Sequence, residues 1–479
     1  MKSFVTISIL FGLLAANAFA DHARPNIVLI LCDDLGYADV GFNGSPDIKT
    51  PSLDALASAG TVITSAYVAH PFCGPSRMGM MTGRYPHRFG APYNLPNTGH
   101  GIERFNHKGI PTTETTLGTM LQNAGYYTGA VGKWHMGYDQ DFYPNTRGFD
   151  DFYGFLGGGH DYLPERFNSI YDRQKKAGKE FFNDYIAPLE HNGKEVRETQ
   201  YITDALSREA VRFINEASTK EKPFFLYLAY NAPHMPLQAT DADLALYQHI
   251  KDEKRRTYAA MVHAVDRGAG QITKALRQND AFSNTLVVFL SDNGGKIGGG
   301  SNNAPLTQGK GSVYEGGFRV PMFFCWPDVV PGGKKYTHPV TALDFFPTFA
   351  GLAGARLPSD RQLDGKDIWQ AFLKDRDPRD GNLIFAMRHH AAFSNFGVRT
   401  GQWKAICVGK RWKLFDITAD IAEQKDLSDQ YPDLLKSIVR QTKQWSETHT
   451  QPDWFDNETA EQKWKENKRP NHELIFEGY

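Results

Sequence analysis

Two acidic pairs occupy positions where a metal site is readily built. Asp33-Asp34-Leu35-Gly36 follows the apolar run 26–32, and Ser291-Asp292-Asn293-Gly294 follows the run 285–290. If those runs are neighbouring strands, three carboxylates and one amide oxygen converge. That donor set suits a hard cation such as Ca²⁺, which takes oxygen ligands at ~2.3–2.6 Å. Each pair alone also reads as a turn or a helix cap, and the shared strand-end position is what favours a metal. No clustered Cys or His accompanies them at zinc-ligand spacing. A thiol stands in Cys73-Gly74-Pro75-Ser76-Arg77, ahead of Met78 and of Thr82-Gly83-Arg84, so Cys73 falls at the mouth of a predicted helix with Arg77 one turn on. Lys133 and His135 lie in Gly132-Lys133-Trp134-His135-Met136-Gly137, and His234 in Asn231-Ala232-Pro233-His234-Met235-Pro236. Lys310 stands in Gln308-Gly309-Lys310-Gly311, which lacks the G-x-x-x-x-G-K-[ST] spacing of a phosphate loop.

These residues are useful only if strands bring them together. Continuous apolar runs at 26–32, 126–131, 224–230 and 285–290 alternate with helical stretches at 115–123, 203–216 and 258–276. Runs without polar alternation suit strands buried on both faces, so the pattern predicts a large, mostly parallel α/β sheet sandwiched by helices. Such sheets bind ligands at the carboxyl ends of their strands, where the chemical residues above fall. Cys32 and Cys325, each within an apolar run, read as buried thiols. The charged, Pro- and Gly-bearing stretch 374–381 marks a boundary. Beyond it, short runs at 383–387, 396–399, 403–408 and 412–415, then an amphipathic helix at 432–445, predict a smaller α+β domain with an antiparallel sheet. The expected division is a catalytic domain over 21–375, the smaller domain over 376–445 and a C-terminal extension over 446–479. The extension reads as an arm packed on the main domain or on a second subunit.

The chain has 479 residues, 53 Lys+Arg against 54 Asp+Glu, and 41% hydrophobic residues, which excludes a disordered or fibrous protein. The balanced charge gives no electrostatic argument for a nucleic-acid or polybasic membrane partner. At the N-terminus Met1-Lys2, an apolar run at 4–14 and Ala18-Phe19-Ala20 read as a signal peptide cleaved after Ala20. The expectation is an exported protein, periplasmic or secreted, with no membrane anchor. Four cysteines are too few for a disulfide-built scaffold.

The segment 73–77 with its Thr82-Gly83-Arg84 tail matches the signature C-x-P-S-R with a following T-G-R, and from 26 to 445 the chain resembles the type I sulfatases of the alkaline phosphatase superfamily. The resemblance implies an alkaline-phosphatase-like fold and conversion of Cys73 to Cα-formylglycine by a formylglycine-generating or anaerobic maturation enzyme. A hydrated aldehyde carries two hydroxyls on one carbon, one to attack and one to expel the product. It further implies that Asp33, Asp34, Asp292, Asn293 and the converted Cys73 hold Ca²⁺, which lowers the nucleophile's pKa and neutralises sulfate. Arg77 would hydrogen-bond the hydrate, Lys133 would contact sulfate, and His135 would orient the hydrate and act as base. His234 matches the P-H-x-P loop and becomes the general acid, its unperturbed pKa of ~6.5 suiting that task. Lys310 matches the segment G-K-x-x-x-x-E-G-G-x-R-V-P and would grip the sulfate, with Glu315 and Arg319 as a supporting ion pair. The stretches 398–404 and 412–417 resemble the family's C-terminal unit.

The resemblance extends to sulfatases of marine polysaccharide degraders, so the expected partner is a sulfated carbohydrate, with a galactan 4-sulfate such as ι-carrageenan ahead of other algal sulfates and glycosaminoglycans. Candidate sugar contacts are His160 and Asp161, in the loop 157–162, and Arg388, His389 and His390, each weighed evenly against ordinary surface polarity. A phosphatase or phosphonate monoester hydrolase of the same superfamily is the alternative, and a homo-oligomer is left open.

Overall fold

The computed structural model describes residues 24–96, 107–180, 182–390 and 392–479. The expected signal peptide, 1–20, lies outside the described residues. Twelve strands come first: β1 (Asn26–Cys32), β2 (Thr61–Ile63), β3 (Ala66–Tyr67), β4 (Tyr127–Lys133), β5 (Asp151–Phe155), β6 (Leu189–His191), β7 (Lys194–Val196), β8 (Phe224–Ala229), β9 (Thr285–Ser291), β10 (Met322–Cys325), β11 (Lys334–Tyr336) and β12 (Val340–Thr341). Ten of them form one sheet in the order β11-β2-β10-β9-β1-β8-β4-β5-β6-β7, and β3 pairs with β12.

The centre of the sheet is parallel, from β9 through β1, β8 and β4 to β5. Antiparallel pairing is confined to the margins, where β10 runs against β9 and β2, and β6 against β5 and β7. The apolar run of β1 is buried on both faces by the two-residue strand period. Ile27, Leu29 and Leu31 enter one core, with Met78 and Phe225. Val28, Ile30 and Cys32 enter the other, which includes Ala210 of the helix Ile202–Ala217 and Met261 of the helix Glu253–Gln278. The latter helix begins earlier than the predicted 258 because Asp252 caps it, accepting the Arg255 N–H.

After the main sheet, β13 (Ile384–His390), β14 (Phe393–Thr400), β15 (Trp403–Val408) and β16 (Arg411–Asp416) form an antiparallel meander. The helix Pro432–Ser446 lays Leu435, Ile438, Val439 and Trp445 on it, joining Phe385, Phe396 and Val398 in a third core. Trp445 stacks on Phe385 with ring centres 4.0 Å apart. The remaining segment contains the helices Glu458–Glu466 and Lys468–Ile475. It returns to the main body, where Trp454 Nε1 donates to Tyr93 O at 2.9 Å. No helix among the described residues is long and apolar enough to cross a membrane.

Candidate active site

Register sets the site. Leu31 pairs with Ala229, Gly132 also pairs with Ala229, and Cys32 pairs with Ser291, so β9, β1, β8 and β4 end level. The ladder continues one step beyond, with Asp33 N donating to Ala232 O at 3.1 Å and Asp292 N to Cys32 O at 2.9 Å. The chain must then turn sharply. Asp34 at φ 62° and His135 at φ 59° take the left-handed conformation that side chains rarely adopt. Backbone strain of this kind persists only where its surroundings enforce it.

Cys73 is the first residue of helix α1 (Cys73–Thr82), every residue of which is buried. Phe72, before it, supplies no side-chain cap. The exposed end of the helix is instead satisfied from a distant loop, where Asn94 Oδ1 accepts the Gly74 N–H at 2.9 Å and lies 3.8 Å from Cys73 Sγ. At the other end Gly83 at φ 68° closes the helix, Thr82 Oγ1 donates to Met78 O, and Arg84 pairs with Glu114. The Thr-Gly-Arg tail is thus a helix stop that fixes the pitch of α1. Burial raises the Cys73 thiol pKa against the pull of Lys133 and Lys310. A thiol held protonated is a poor nucleophile.

Around Cys73 the charges are paired and dry. Arg77 Nε donates to Asp292 Oδ2 at 2.8 Å and its Nη1 to Lys133 O at 2.9 Å. The Lys133 ammonium donates to Asp33, both side chains being fully buried. Lys310 Nζ reaches both oxygens of Asp34, at 2.7 and 2.9 Å. Asn293 Nδ2 donates to Asp34 Oδ1 at 2.7 Å, and His234 Nε2 lies 3.7 Å from Asp34 Oδ2. Burial opposes ionisation of Asp33, but Lys133, His234, Arg77 and Lys310 together hold its carboxyl well below the usual range. Burial, then the neighbouring Asp33, pushes Asp292 up to about 6. Burial lowers His234 to about 4, and burial with Lys133 and Arg77 keeps His135 neutral.

The donor set fits a hard cation. Ligand atoms of Asp33, Cys73 and Asp292 lie within 4.8 Å of one another, as do those of Asp33, Asp34 and His234. Asp33 Oδ1 and Asn293 Oδ1 are buried with no hydrogen-bond partner among the described residues, an expensive state for oxygens unless something binds them. Three buried carboxylates face three cations, the buried Arg77 and Lys133 and the partly exposed Lys310. Adding a dication leaves a double positive charge, which one sulfate monoester and one ionised nucleophile would cancel.

The segment carrying Lys310 is braced by the pair read from sequence, Arg319 Nη1 donating to Glu315 Oε2 at 3.0 Å. Gly317 is obligatory there, since a Cβ would sit 1.9 Å from Ser312 O. Two expected sugar contacts are corrected. His160 is fully buried, with Nδ1 2.6 Å from Asp161 O and Nε2 2.7 Å from Ala187 O, so its polar atoms are spent on backbone. The Asp161 carboxylate accepts from Arg166 Nε at 3.0 Å in a largely buried position. Both residues shape the fold rather than meet a sugar. Arg388, His389 and His390 border a hollow beside Asn94, although His389 is buried and shares Nδ1 with Ser394 Oγ at 2.8 Å. Two neighbours of the catalytic cluster escaped the sequence reading. Asn94 follows no strand, and Tyr227, whose hydroxyl lies 3.4 Å from Arg77 Nη1, looks like any other core aromatic.

Comparison with known proteins gives a consistent picture. A family model described as Sulfatase matches residues 25–355, and one described as N-sulphoglucosamine sulphohydrolase, C-terminal, matches 308–448. The chain is 33% identical to arylsulfatase J of Mus musculus, the match covering 90% of this chain and 77% of that protein. It is 35% identical to N-acetylgalactosamine-6-sulfatase of Mus musculus, covering 82% and 73%. The crystal structure of Ps i-CgsB superposes with a TM-score of 0.93 at 53% identity, covering 95% of this chain and 100% of that one. The same protein in complex with k-i-k-neocarrahexaose gives a TM-score of 0.92 at 52% identity.

Proposed function

Because the chain belongs to the sulfatase family and is a sulfuric ester hydrolase, we propose that it removes sulfate from a sulfated galactan outside the cytoplasm, with a 4-sulfate of ι-carrageenan as first candidate. The observation that carries the chemistry is the placement of Cys73 Sγ within 4.8 Å of the Asp33 and Asp292 carboxylates, at the rim of a site whose cations are Arg77, Lys133 and Lys310. The galactan rests on the 53% identity to Ps i-CgsB and on the k-i-k-neocarrahexaose bound to that protein.

Asp33, Asp34, Asp292 and Asn293 are the residues that would hold Ca²⁺, which when bound supplies positive charge to the sulfate and acidifies the nucleophile. Cys73 is the residue a maturation enzyme converts to Cα-formylglycine, whose hydrate supplies two hydroxyls in place of an inert thiol. Lys133 and Lys310 bind the sulfate oxygens and keep the anion in register with residue 73. The Arg77 guanidinium, clamped by Asp292 and the Lys133 carbonyl, fixes the first turn of α1 under the reacting atom. His234 has Nδ1 2.6 Å from Met235 O, a contact that makes Nδ1 the donor and turns Nε2 to the site. Burial keeps the ring neutral in the free enzyme, so Nε2 hands a proton to the leaving sugar oxygen only after taking one up, which the anionic substrate beside it favours. His135 is buried and neutral with both ring nitrogens without a partner among the described residues, so it is placed to accept a proton from the hydrate.

The test is sulfate release from size-defined ι-carrageenan oligosaccharides by enzyme coexpressed with a maturase, before and after EGTA. Release that EGTA abolishes and Ca²⁺ restores is the expected result. Release from glycosaminoglycans alone would remove the galactan assignment.

A further inference from the structure

Beside Cys73 lies a cavity of about 270 Å³ whose lining includes His70, Phe72, Asn94, Arg388, Asp456 and Thr459. It opens on the nucleophile side, since Asn94 touches Cys73 and Phe72 precedes it. One wall comes from the C-terminal arm, which lies beyond both matched family segments, these ending at residues 355 and 448.

The wall chemistry is complementary to a charged sugar. Arg388 lays its guanidinium 4.4 Å over the Phe72 ring and donates Nη1 to Gly311 O at 2.6 Å. Its remaining N–H groups have no partner among the described residues, so a fork is left for an anion. His70 is 1% exposed and accepts the Phe72 N–H on Nδ1 at 3.1 Å, which puts its proton on Nε2. That Nε2 has no partner among the described residues, a buried donor in a residue that lines the cavity. Asp456 lines the same cavity as Arg388, and among the described residues no ion pair joins the two. A carboxylate accepts hydroxyls and repels sulfate, whereas the guanidinium attracts sulfate, so the cavity offers one group to an anionic substituent and one to a hydroxyl.

We propose that this cavity holds the sugar residue next to the one that loses sulfate, with Arg388 on an anionic substituent of that ring and Asp456 of the C-terminal arm on a hydroxyl. The arm is then the specificity-determining element of the cleft. This inference rests on the glycan reading of the preceding section, and its test is arranged to separate the two.

Binding of a sulfated galactan hexasaccharide is measured by calorimetry on the full chain with Cys73→Ser, so that turnover does not intervene, and then with Asp456→Ala or Thr459→Trp added. Asp456 and Thr459 are exposed, so these changes leave the fold intact. Asp456→Ala weakens binding about tenfold by removing a charge-assisted hydrogen bond, and Thr459→Trp, which fills the cavity, abolishes it. Hexasaccharide binding that neither variant alters overturns the inference while leaving the galactan reading intact. Binding confined to chondroitin sulfate hexasaccharides, still sensitive to both variants, keeps the cavity and removes the galactan. Binding of neither glycan overturns both.

Discussion

Lys404, on β15 of the C-terminal sheet, donates to Glu315 Oε1 at 2.7 Å, with both side chains fully buried. Glu315 also accepts from Tyr67 Oη at 2.8 Å and heads the turn that follows the Lys310 loop. Glu423 lies 3.5 Å from the same ammonium. The C-terminal sheet therefore braces the loop that carries Lys310. Removing the ammonium takes the cation from Glu423 while Glu315 keeps Arg319 and Tyr67, so the cost is expected at the lower end of the about 3–5 kcal/mol for breaking a buried pair. Lys404→Met should lower unfolding free energy by that amount in a urea titration, and adding Glu315→Gln should recover part of it. Equal stability of the single variant and the parent would show that this pair is not what joins the sheet to the loop.

Lys310→Met should reduce kcat/KM by about 10²–10³, the usual loss when one donor to a developing anion is removed. The loss should be as large for a small aryl sulfate as for an oligosaccharide, because the contact is to the sulfate itself. A defect seen only with oligosaccharide would move Lys310 from the sulfate to the sugar.

His234→Ala should separate substrates by leaving group. A sugar alkoxide needs a proton as the S–O bond breaks, so its rate should fall by about 10²–10⁴. A nitrophenolate leaves without help, and its rate should fall far less. Equal losses on both would exclude His234 as the acid.

His87 predicts the acid limit of stability. Its ring is 1% exposed, both nitrogens lack partners among the described residues, and His70, His389 and His449 pack with ring centres within 5.5 Å of it, with Trp445 edge-on. Burial, with the Arg469 charge, lowers its pKa to about 3. The unfolded chain has a pKa of ~6.5 and so binds the proton first. Stability is therefore intact above pH 6.5 and is lost as pH falls from there toward 3, by about 2 kcal/mol at pH 5 from this residue alone. His87→Phe should flatten the dependence of the melting temperature on pH between 7 and 5. An unchanged slope would locate the acid sensitivity elsewhere.

The layout of the centre could be read from apolar runs because strands buried on both faces need no polar alternation, and the residues after 32, 133 and 291 inherit their place from strand order. The antiparallel margins could not be read. β6 and β7 are three residues each, too short for a periodic signal, and β10 shares its apolar composition with the parallel strands beside it. Asn94 was hidden because it caps α1 from 20 positions further along the chain rather than from the position next to the helix. His160 misled for the opposite reason. Its Gly-rich loop looks like exposed turn sequence, yet packing against Phe155 and Phe167 buries the ring, and two backbone carbonyls take its nitrogens. Asp456 and the arm carry no motif, and only the fold brings them to the cavity.

The central claim is that Cys73 acts as a converted residue and not as a thiol. Peptide mass spectrometry across residues 73–77, on protein made with and without a maturase, paired with sulfate release by the same two samples, tests it most directly. The aldehyde or its hydrate is expected only in the matured sample, with release in proportion to conversion. Equal release from protein that retains the Cys73 thiol would contradict it.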